Sequence, residues 1–263
     1  MKVFNRTVQF LLAVLTLSSC SSEDNEFIVP EETGAISLNV STGANFKVLG
    51  SRVLNEEDYK NVNNYKVVIS DNNGPVKEYA SVTEVPASIE LKNGSYTVTA
   101  SYGKEYAKSR DEFYSVGSEV VTVQGEPKQV SLVCQPTCGK VKVNFHQDMA
   151  TYFDDYNVEY TTEALGTADH ALWAKNDVDP WYLLINPKGE EVKATITLTP
   201  KSQYATSAAK VVKTHVLKPN FGWTLNVSPR YSSSDGTLGI TITIDETTND
   251  IEQEIIVPSE WIK

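Results

Sequence analysis

Ile89-Glu90-Leu91-Lys92-Asn93-Gly94-Ser95-Tyr96-Thr97-Val98-Thr99-Ala100-Ser101-Tyr102-Gly103 is the most regular stretch of this 263-residue chain. Apolar and polar residues alternate with a period of two on both sides of Asn93-Gly94, a dipeptide that favours tight turns because it tolerates positive φ angles. The pattern predicts two strands joined by a turn. The second strand would bury one face, made of the alternate residues Tyr96, Val98, Ala100 and Tyr102.

The same alternation runs through the chain from Gly34 onward and predicts an all-β protein. In the N-terminal part, about six or seven strands fall within about 100 residues, which is the size of one immunoglobulin-like β-sandwich. A tight hairpin turn is predicted where residues 65–69 end at Asp71-Asn72-Asn73-Gly74. The other strands predicted in this part cover residues 36–40, 121–123 and 130–134.

A second, similar series begins after Pro136. Residues 139–145 echo residues 34–40, and residues 155–158 echo residues 64–67, although the intervening lengths differ. This weak repeat predicts two tandem β-sandwich domains, at residues 34–135 and 136–263. Asp148 is predicted to cap one or two helical turns. Further strands are predicted at residues 181–185, 192–198, 211–217, 223–227, 238–244 and 251–257.

The N-terminal segment has the composition of a bacterial secretion signal. Lys2 and Arg6 precede an apolar stretch too short to span a bilayer, and Leu17-Ser18-Ser19-Cys20 resembles the lipobox of bacterial lipoproteins. We therefore expect residues 1–19 to be removed as a signal peptide and Cys20 to be lipidated, with three acyl chains giving a stable anchor. The alternative is an ordinary secreted protein that is cut near the same place.

Residues 20–33 are predicted to be a flexible tether, because Ser21-Ser22-Glu23-Asp24-Asn25-Glu26 offers too little apolar surface to pack. Acidic residues directly after a lipidated cysteine resemble the surface-export signal of Bacteroidetes lipoproteins. That resemblance implies an outer-membrane location with the chain facing the cell exterior. The alternative is an inner-leaflet lipoprotein whose acidic tether is simply solvated.

Charge and motif content exclude several classes of function. The formal net charge is -11, and no basic stripe with interleaved aromatic residues is present, so no nucleic-acid partner is expected. His146, His170 and His215 are widely spread, and neither a Gly-x-Ser-x-Gly nor a His-Glu-x-x-His motif occurs. No catalytic residue, metal site or cofactor is predicted, and we expect the protein not to be an enzyme.

Two features invite hypotheses about individual side chains. Cys134 and Cys138 would meet an oxidising compartment, which favours a local disulfide first, two free buried thiols second and a metal site last. The aromatic residues of the C-terminal part suggest sugar stacking, and Trp173, in a polar stretch, is the candidate for an exposed ring. The alternative for such aromatic residues is a place in the core.

The lipobox, the acidic tether, residues 89–103, the strands flanking Cys134 and the closing residues 236–245 together resemble an uncharacterised family of Bacteroidetes surface lipoproteins. That family is similar to fimbrial anchor and tip lipoproteins. The resemblance implies two transthyretin-like β-sandwiches, a role at the cell surface in fimbria anchoring, assembly or adhesion, and fimbrial subunits as partners. Cys138 departs from the pattern, because a small or apolar residue is expected there.

The resemblance also bears on the long connection at residues 42–63. In related fimbrial subunits, proteolysis near a basic residue frees a groove for a donor strand, so Arg52 is a candidate processing site. The alternative is an uncut loop that covers a sheet edge. Two other functions remain open from the sequence: a glycan-binding lipoprotein of a nutrient-uptake system, whose partners would be surface glycans, and a purely structural surface protein.

Overall fold

The computed structural model describes residues 32–44, 46, 54–204, 208–246 and 249–253, and residues 32–263 belong to one compact unit. We call residues 32–136 the N-terminal half and residues 138–253 the C-terminal half. The strands of the N-terminal half are β1 (Thr33–Thr42), β2 (Lys66–Asp71), β3 (Gly74–Tyr79), β4 (Ile89–Lys92), β5 (Gly94–Tyr102), β6 (Lys108–Ser109), β7 (Ser115–Val123) and β8 (Lys128–Pro136). Short 3₁₀ helices lie at Glu56–Tyr59, Val62–Asn64 and Val82–Glu84.

The C-terminal half is also built almost entirely of strands, and the prediction of an all-β, sandwich-type fold is confirmed. Its elements are β9 (Cys138–Phe145), α1 (Met149–Tyr152), β10 (Phe153–Thr161), β11 (Ala171–Ala174), β12 (Trp181–Leu184), β13 (Glu190–Pro200), β14 (Ala209–Leu217), β15 (Gly222–Ser232), β16 (Thr237–Glu246) and β17 (Asn249–Gln253). Among the described residues, none of the helices is long and apolar enough to cross a membrane.

The strands of the N-terminal half, apart from β6, are ordered β3-β2-β5-β7-β8-β1-β4. Strand β1 is parallel to β8 and antiparallel to β4. Strands β7 and β8 pair at only two positions, Ser115 with Pro136 and Val116 with Gln135, where the layer formed by β3-β2-β5-β7 joins the layer formed by β8-β1-β4. The apolar faces of the two layers bury one core, which includes Ile36, Val67, Ile69, Val98, Ala100, Val130 and Leu132.

The C-terminal half forms a four-stranded sheet, β11-β10-β13-β14, and a six-stranded sheet, β17-β16-β15-β9-β12-β6. Strand β9 lies between parallel β15 and antiparallel β12, as β1 lies between β8 and β4. Strand β10 lies between β11 and β13, as β2 lies between β3 and β5. The weak sequence repeat therefore coincides with a repeated strand order, while the proposed domain boundary at residues 135 and 136 stays a prediction.

The predicted buried face of β5 and the predicted hairpin at residues 71–74 agree with the structure, but the tight turn predicted at Asn93-Gly94 is wrong. Strand β4 pairs with β1 whereas β5 pairs with β2 and β7, and neither Asn93 nor Gly94 has a positive φ. Tyr96, Val98 and Ala100 are buried, and Tyr102 packs against the same core. The hairpin between β2 and β3 turns at Asn72-Asn73, and Asp71 Oδ1 accepts a hydrogen bond from the Asn73 backbone at 2.7 Å. Because the side chain satisfies this backbone donor, the turn is held without further packing.

The predicted helical turns are present as α1, but the predicted N-cap is wrong. Asp148 lies in the αR region and its side chain makes no capping hydrogen bond. Its own backbone N–H instead donates to His146 Nδ1 at 3.2 Å. An N-cap residue normally has extended backbone angles, so the local conformation of Asp148 explains the missing cap.

Candidate functional site

The two halves meet at a group of buried side chains that we call the junction cluster: Phe46, Tyr59, Phe113, Cys138 and Tyr182. The rings of Tyr59 and Phe113 are stacked, with centroids 3.7 Å apart and planes 20° apart. The Tyr59 hydroxyl donates to the Phe113 carbonyl at 2.9 Å and accepts from the Phe113 N–H at 3.1 Å. Burial raises the pKa of the Tyr59 hydroxyl, so the group stays protonated and can donate.

A close backbone approach beside this cluster requires glycine. Gly103 has φ +78°, and a Cβ atom placed there would lie 1.9 Å from the Phe113 carbonyl oxygen. Any side chain at this position would collide with the backbone that Tyr59 holds. The stretch at residues 89–103 thus ends at Gly103, where the close packing at the junction requires a glycine.

A buried ion pair crosses the junction. Lys140 Nζ on β9 lies 2.5 Å from Glu56 Oε1, and the Tyr182 hydroxyl donates to the same carboxylate oxygen. The side chains of Lys140 and Glu56 are only 4% and 9% exposed. Alternation along β9 places Lys140 on its polar face, and the 3₁₀ helix at Glu56–Tyr59 covers that face. The sequence gives no sign of this pair, because its members are 84 residues apart.

A second contact region links the connection between β5 and β7 to the C-terminal half. Strand β6 extends the six-stranded sheet by pairing with β12. Arg110 forms a bidentate pair with Asp177 at 2.6 and 2.9 Å, and its guanidinium lies 4.3 Å from the centre of the Trp181 ring. Lys108 Nζ lies 2.5 Å from Asp169 Oδ1. These contacts fix the orientation of the two halves, since a bidentate arginine pair is geometrically specific.

A cavity of about 700 Å³ opens beside the junction. Its apolar lining includes Pro136, Ile185, Pro187, Pro219 and Phe221. The Glu190 carboxylate also lines the cavity, and it accepts hydrogen bonds from the backbone N–H of Glu163 at 2.7 Å and of Asn186 at 3.0 Å. The Glu190 carboxylate therefore holds the loops that carry Glu163 and Asn186, and its hydrogen bonds indicate a structural role and not proton transfer.

Strand β14 forms an open edge of the four-stranded sheet. It pairs with β13 over nine consecutive positions without a register shift, and no other described strand pairs with it. Val212 and Val216 lie on its outer face and are 57% and 51% exposed. Within the described part of the chain, the outer side of β14 thus combines backbone groups that pair with no strand and exposed β-branched side chains, the features that favour pairing with another strand.

The disulfide predicted between Cys134 and Cys138 is not formed in the structure, which holds both thiols free and buried. Cys134 belongs to the core of the N-terminal half, and its Sγ is 3.4 Å from the Ala100 carbonyl oxygen. Cys138 instead belongs to the junction cluster. Burial raises the pKa of the Cys134 thiol to about 11 and that of Cys138 further, so neither is an activated nucleophile.

The prediction of an exposed Trp173 is wrong. Its side chain is fully buried, and Nε1 donates to the Asp179 carbonyl at 2.9 Å. Trp173 lies on β11, a strand that the sequence analysis missed, and this strand alternates buried Ala171 and Trp173 with exposed Leu172 and Ala174. The alternation of residues 171–174 indicates a strand, but it is only four residues long and lies among polar residues, so the sequence did not predict the strand. The buried ring cannot stack on a sugar.

The histidines stand apart from one another. His146 and His170 are exposed and lie 3.4 and 3.9 Å from the carboxylates of Asp148 and Glu159. His215 is half-buried, and its Nε2 lies 3.5 Å from the Tyr160 hydroxyl. Burial, followed by the charge of Lys213, lowers the pKa of the His215 imidazole to about 4. No group of three or more His, Cys, Asp or Glu side chains that could hold a metal occurs in the described part of the chain.

Two sequence-based candidates cannot be placed in the fold. Cys20, the predicted lipidation site, and Arg52, the candidate processing site, lie outside the residues that the structure describes. The described ends nearest to Arg52 are Phe46, in the junction cluster, and Leu54, which packs against that cluster. The two described residues that flank residues 47–53 therefore both lie at the junction.

A family model matches residues 32–259, which is most of the chain. The family is described as a domain of unknown function, DUF4493. The chain belongs to this family. The match starts one residue before β1 and includes every described strand, so the whole fold outlined above is that of the DUF4493 domain. Curated proteins yield no match to the chain.

Several solved structures are similar to this chain at low sequence identity. A candidate adhesin from Bacteroides thetaiotaomicron is 9% identical, with 86% of this chain and 99% of that chain covered and a TM-score of 0.47. A candidate polysaccharide-binding protein from the same species is 11% identical, with 87% and 99% covered and a TM-score of 0.44. The tip fimbrial protein Mfa3 from Porphyromonas gingivalis is 9% identical, with 81% and 99% covered and a TM-score of 0.43.

Proposed function

We propose that the chain is a surface-exposed, lipid-anchored protein of the outer membrane that acts in fimbria anchoring, assembly or adhesion. It would do so without catalysis, by pairing an extended segment of a partner protein with β14. The observation that carries the proposal is the open edge of β14, with nine registered residues and exposed Val212 and Val216. Adding a strand to such an edge supplies main-chain hydrogen bonds for affinity and side-chain contacts for specificity.

The other edge strands of the described sheets carry more of the features that prevent pairing. Strand β17 has five residues, strands β4 and β11 have four each, and β6 has two. Strand β3 contains Pro75 and a register shift opposite β2. Strand β14 is longer, contains no proline and has no bulge against β13, although Lys210 and Lys213 give it positive charge. Short length, proline and bulges are the usual protections of an edge, and β14 has none of these three.

The junction supports this role mechanically. An anchored protein that holds a partner must pass force from the partner-binding half to the half that carries the lipid. The tether at residues 20–33 leads into β1, whereas β14 lies in the C-terminal half. The Lys140–Glu56 pair and the Arg110–Asp177 pair both connect the two halves. Glu56 accepts from Tyr182 and Arg110 lies over Trp181, so the two pairs are on opposite faces of β12. Two separated connections resist rotation of one half about the other.

The environments of the titratable groups support a role without catalysis. A general base needs a nucleophile and an orienting group within hydrogen-bond reach. His215 contacts the hydroxyl of Tyr160, whose pKa is raised by complete burial, and both thiols have raised pKa values. Glu56 and Glu190 hold other residues in place. The chemistry of these groups is that of a scaffold.

The lipid anchor and the outward-facing location rest on the sequence of residues 1–33. The lipobox at Leu17-Ser18-Ser19-Cys20 and the acidic tether support them. The alternative as a nutrient-uptake protein was based on Trp173, whose burial removes its main support.

Cell fractionation tests the proposal. Filaments are sheared from cells that naturally produce the protein, and an antibody against the mature chain is used to measure the protein in the filament and envelope fractions. We expect the protein in the filament fraction, and fewer or detached filaments when the gene is deleted. Retention on the envelope, with filaments and cell adhesion unchanged after deletion, would contradict the proposed function.

A further inference from the structure

Two lysines on the open edge strand β14 lack a carboxylate neighbour. Alternation along β14 places Lys210 on the outer face of the four-stranded sheet, beside Val212, and Lys213 on the inner face. On the side where β14 is paired, Thr197 lies opposite Lys210 and the buried Ala194 lies opposite Lys213. Neither lysine forms an ion pair among the residues that the structure describes. The positive charge of each lysine is therefore unmatched.

The edge is locally positive, although the chain carries a formal net charge of -11. Lys193 on β13 adds another positive charge on the outer face, and Glu191, the carboxylate on that face of β13, lies opposite Val216 toward the end of β14. Burial, followed by the charge of Lys213, lowers the pKa of the His215 imidazole to about 4. The imidazole is therefore uncharged at neutral pH, and the positive charge of the edge comes from its lysines.

Lysines on an edge strand act on strand pairing in two ways. They oppose pairing with an apolar or basic strand, because a lysine beside such a strand loses hydration without gaining a partner. They favour a strand whose carboxylates lie directly opposite, because cross-strand pairs of opposite charge stabilise a sheet and like charges destabilise it. Repulsion of wrong partners combined with attraction of the right one is how specific interfaces discriminate. The edge of β14 therefore selects among strands by charge.

A second copy of this chain is a poor partner for the edge. Antiparallel pairing of two copies over all nine residues of β14 is centred on Lys213, so each Lys213 would lie opposite the other. Shifted registers avoid this contact only by leaving part of the strand unpaired. The net charge of -11 adds repulsion between copies at longer range. The features of the edge therefore favour a strand from a different protein.

We infer that β14 takes a partner strand that carries two carboxylates three residues apart, with two β-branched apolar residues between them. The strand itself reads Lys210-Val211-Val212-Lys213. In an antiparallel pair, the pattern Glu-Val-Val-Glu places a carboxylate opposite each lysine and a valine opposite each valine. Because side chains alternate between the two faces, each face of the extended sheet gains one charged pair and one apolar pair.

The inference rests on the proposed pairing of a partner strand with β14 and deepens it by naming the chemistry of that strand. Peptide binding is measured with the isolated chain, whereas the proposed function is tested by filament fractionation in cells. Equal binding of acidic and neutral peptides would overturn the inference and leave β14 as a strand-binding edge. A chain that prefers the acidic peptide but stays out of filaments would instead contradict only the proposed function.

The test measures binding of the full-length chain, purified in detergent, to immobilised peptides by surface plasmon resonance. The acidic peptide is Val-Thr-Thr-Glu-Val-Val-Glu-Thr, whose glutamates lie opposite Lys213 and Lys210 in an antiparallel pair. The neutral and basic peptides have glutamine or lysine in place of both glutamates. We expect the acidic peptide to bind about tenfold more tightly than the neutral one, because two cross-strand pairs of opposite charge form. The basic peptide should bind more weakly than both.

A fourth peptide separates strand pairing from general attraction between charges. Val-Thr-Thr-Glu-Glu-Val-Val-Thr has the same composition as the acidic peptide, but its glutamates are adjacent, so only one of them can lie opposite a lysine. We expect it to bind about threefold more weakly than the acidic peptide, because one charged pair is lost. Raising the salt concentration from about 0.05 M to about 0.5 M should reduce the preference for the acidic peptide, since salt screens exposed charges.

Substitutions of the lysines test the same pairs from the other side. Lys210→Gln combined with Lys213→Gln should remove the preference for the acidic peptide, and Lys210→Glu combined with Lys213→Glu should transfer it to the basic peptide. The matched control is Lys66→Gln combined with Lys104→Gln, which removes the same charge from exposed lysines of the N-terminal half. The control should keep the preference within about twofold of that of the unmodified chain, since surface substitutions away from a site have small effects.

Several results would overturn the inference. They are no binding of any of the four peptides, equal binding of the acidic and neutral peptides, equal binding of the two acidic peptides, or the same loss of preference in the β14 glutamine variant and in its control. Sedimentation of the chain alone detects pairing between copies. A dimer that is lost when Val212→Lys is combined with Val216→Lys would identify a second copy as the occupant of the edge and would also overturn the inference.

Discussion

Replacing Glu56 by glutamine is expected to lower the free energy of unfolding by about 3 to 5 kcal/mol, because it leaves the Lys140 ammonium buried beside an uncharged amide. The two side chains are 9% and 4% exposed, so water cannot replace the lost carboxylate. The Tyr182 hydroxyl can still donate to the new side chain, which isolates the loss of charge as the cause. Urea unfolding followed by tryptophan fluorescence measures the effect.

The matched control is Glu57→Gln in the same 3₁₀ helix. Glu57 pairs with Lys60 at 2.6 Å, but the Glu57 and Lys60 side chains are 63% and 40% exposed. Removing such a surface pair should cost less than about 1 kcal/mol. Combining Glu56→Gln with Lys140→Met should recover part of the lost stability, since no buried charge remains. Equal midpoints for Glu56→Gln and Glu57→Gln would show that the junction pair does not hold the halves together.

Replacing Trp173 by alanine is expected to cost about 3 to 5 kcal/mol of unfolding free energy. The ring is fully buried, contacts the edge of Tyr160 at a centroid distance of 5.4 Å and gives its N–H to Asp179. Alanine would leave a large cavity in the core of the C-terminal half and would remove the hydrogen-bond donor of the Asp179 carbonyl. Thermal and urea unfolding of the purified chain measure the loss.

Leu172→Ala is the control for this substitution. Leu172 is the neighbouring residue on β11 but is 37% exposed, so its removal should cost less than about 1 kcal/mol. The ratio of the two effects reports the alternation of β11 directly. If Leu172→Ala were the more damaging change, or if Trp173 fluorescence were readily quenched by acrylamide in the native protein, the assigned orientation of the strand would be wrong.

The parts of the fold that could be predicted are those determined by local pattern. Period-two alternation located most strands and the buried face of β5, because one face of each strand lies on a core. Turn chemistry located the hairpin at Asn72-Asn73. The echo between residues 34–40 and 139–145 corresponds to two strands, β1 and β9, with the same neighbours in their sheets.

The parts that could not be predicted depend on contacts between distant residues. Lys140 has the pattern of an exposed strand residue, and only the covering 3₁₀ helix, 84 positions away, makes it part of a buried pair. Trp173 was misplaced because four residues of alternation in a polar stretch are too short to fix a strand. The ring contacts among Tyr152, Tyr204 and Tyr231 join three separate segments, so no spacing in the sequence predicts them.

The central claim is that β14 receives a partner strand at the cell surface. It is tested most directly by comparing the double variant Val212→Lys, Val216→Lys with the control variant Val120→Lys. Val120 is a 68% exposed valine on β7 of the N-terminal half, and it pairs with Thr97 of β5. The measurement is the share of each full-length protein in the sheared filament fraction of cells that produce it at equal levels. We expect the β14 variant to fall at least about tenfold, since charge on an edge strand opposes pairing, while the control stays at the unmodified level. Equal filament association for the two variants would contradict the assignment of β14 as the partner-binding edge.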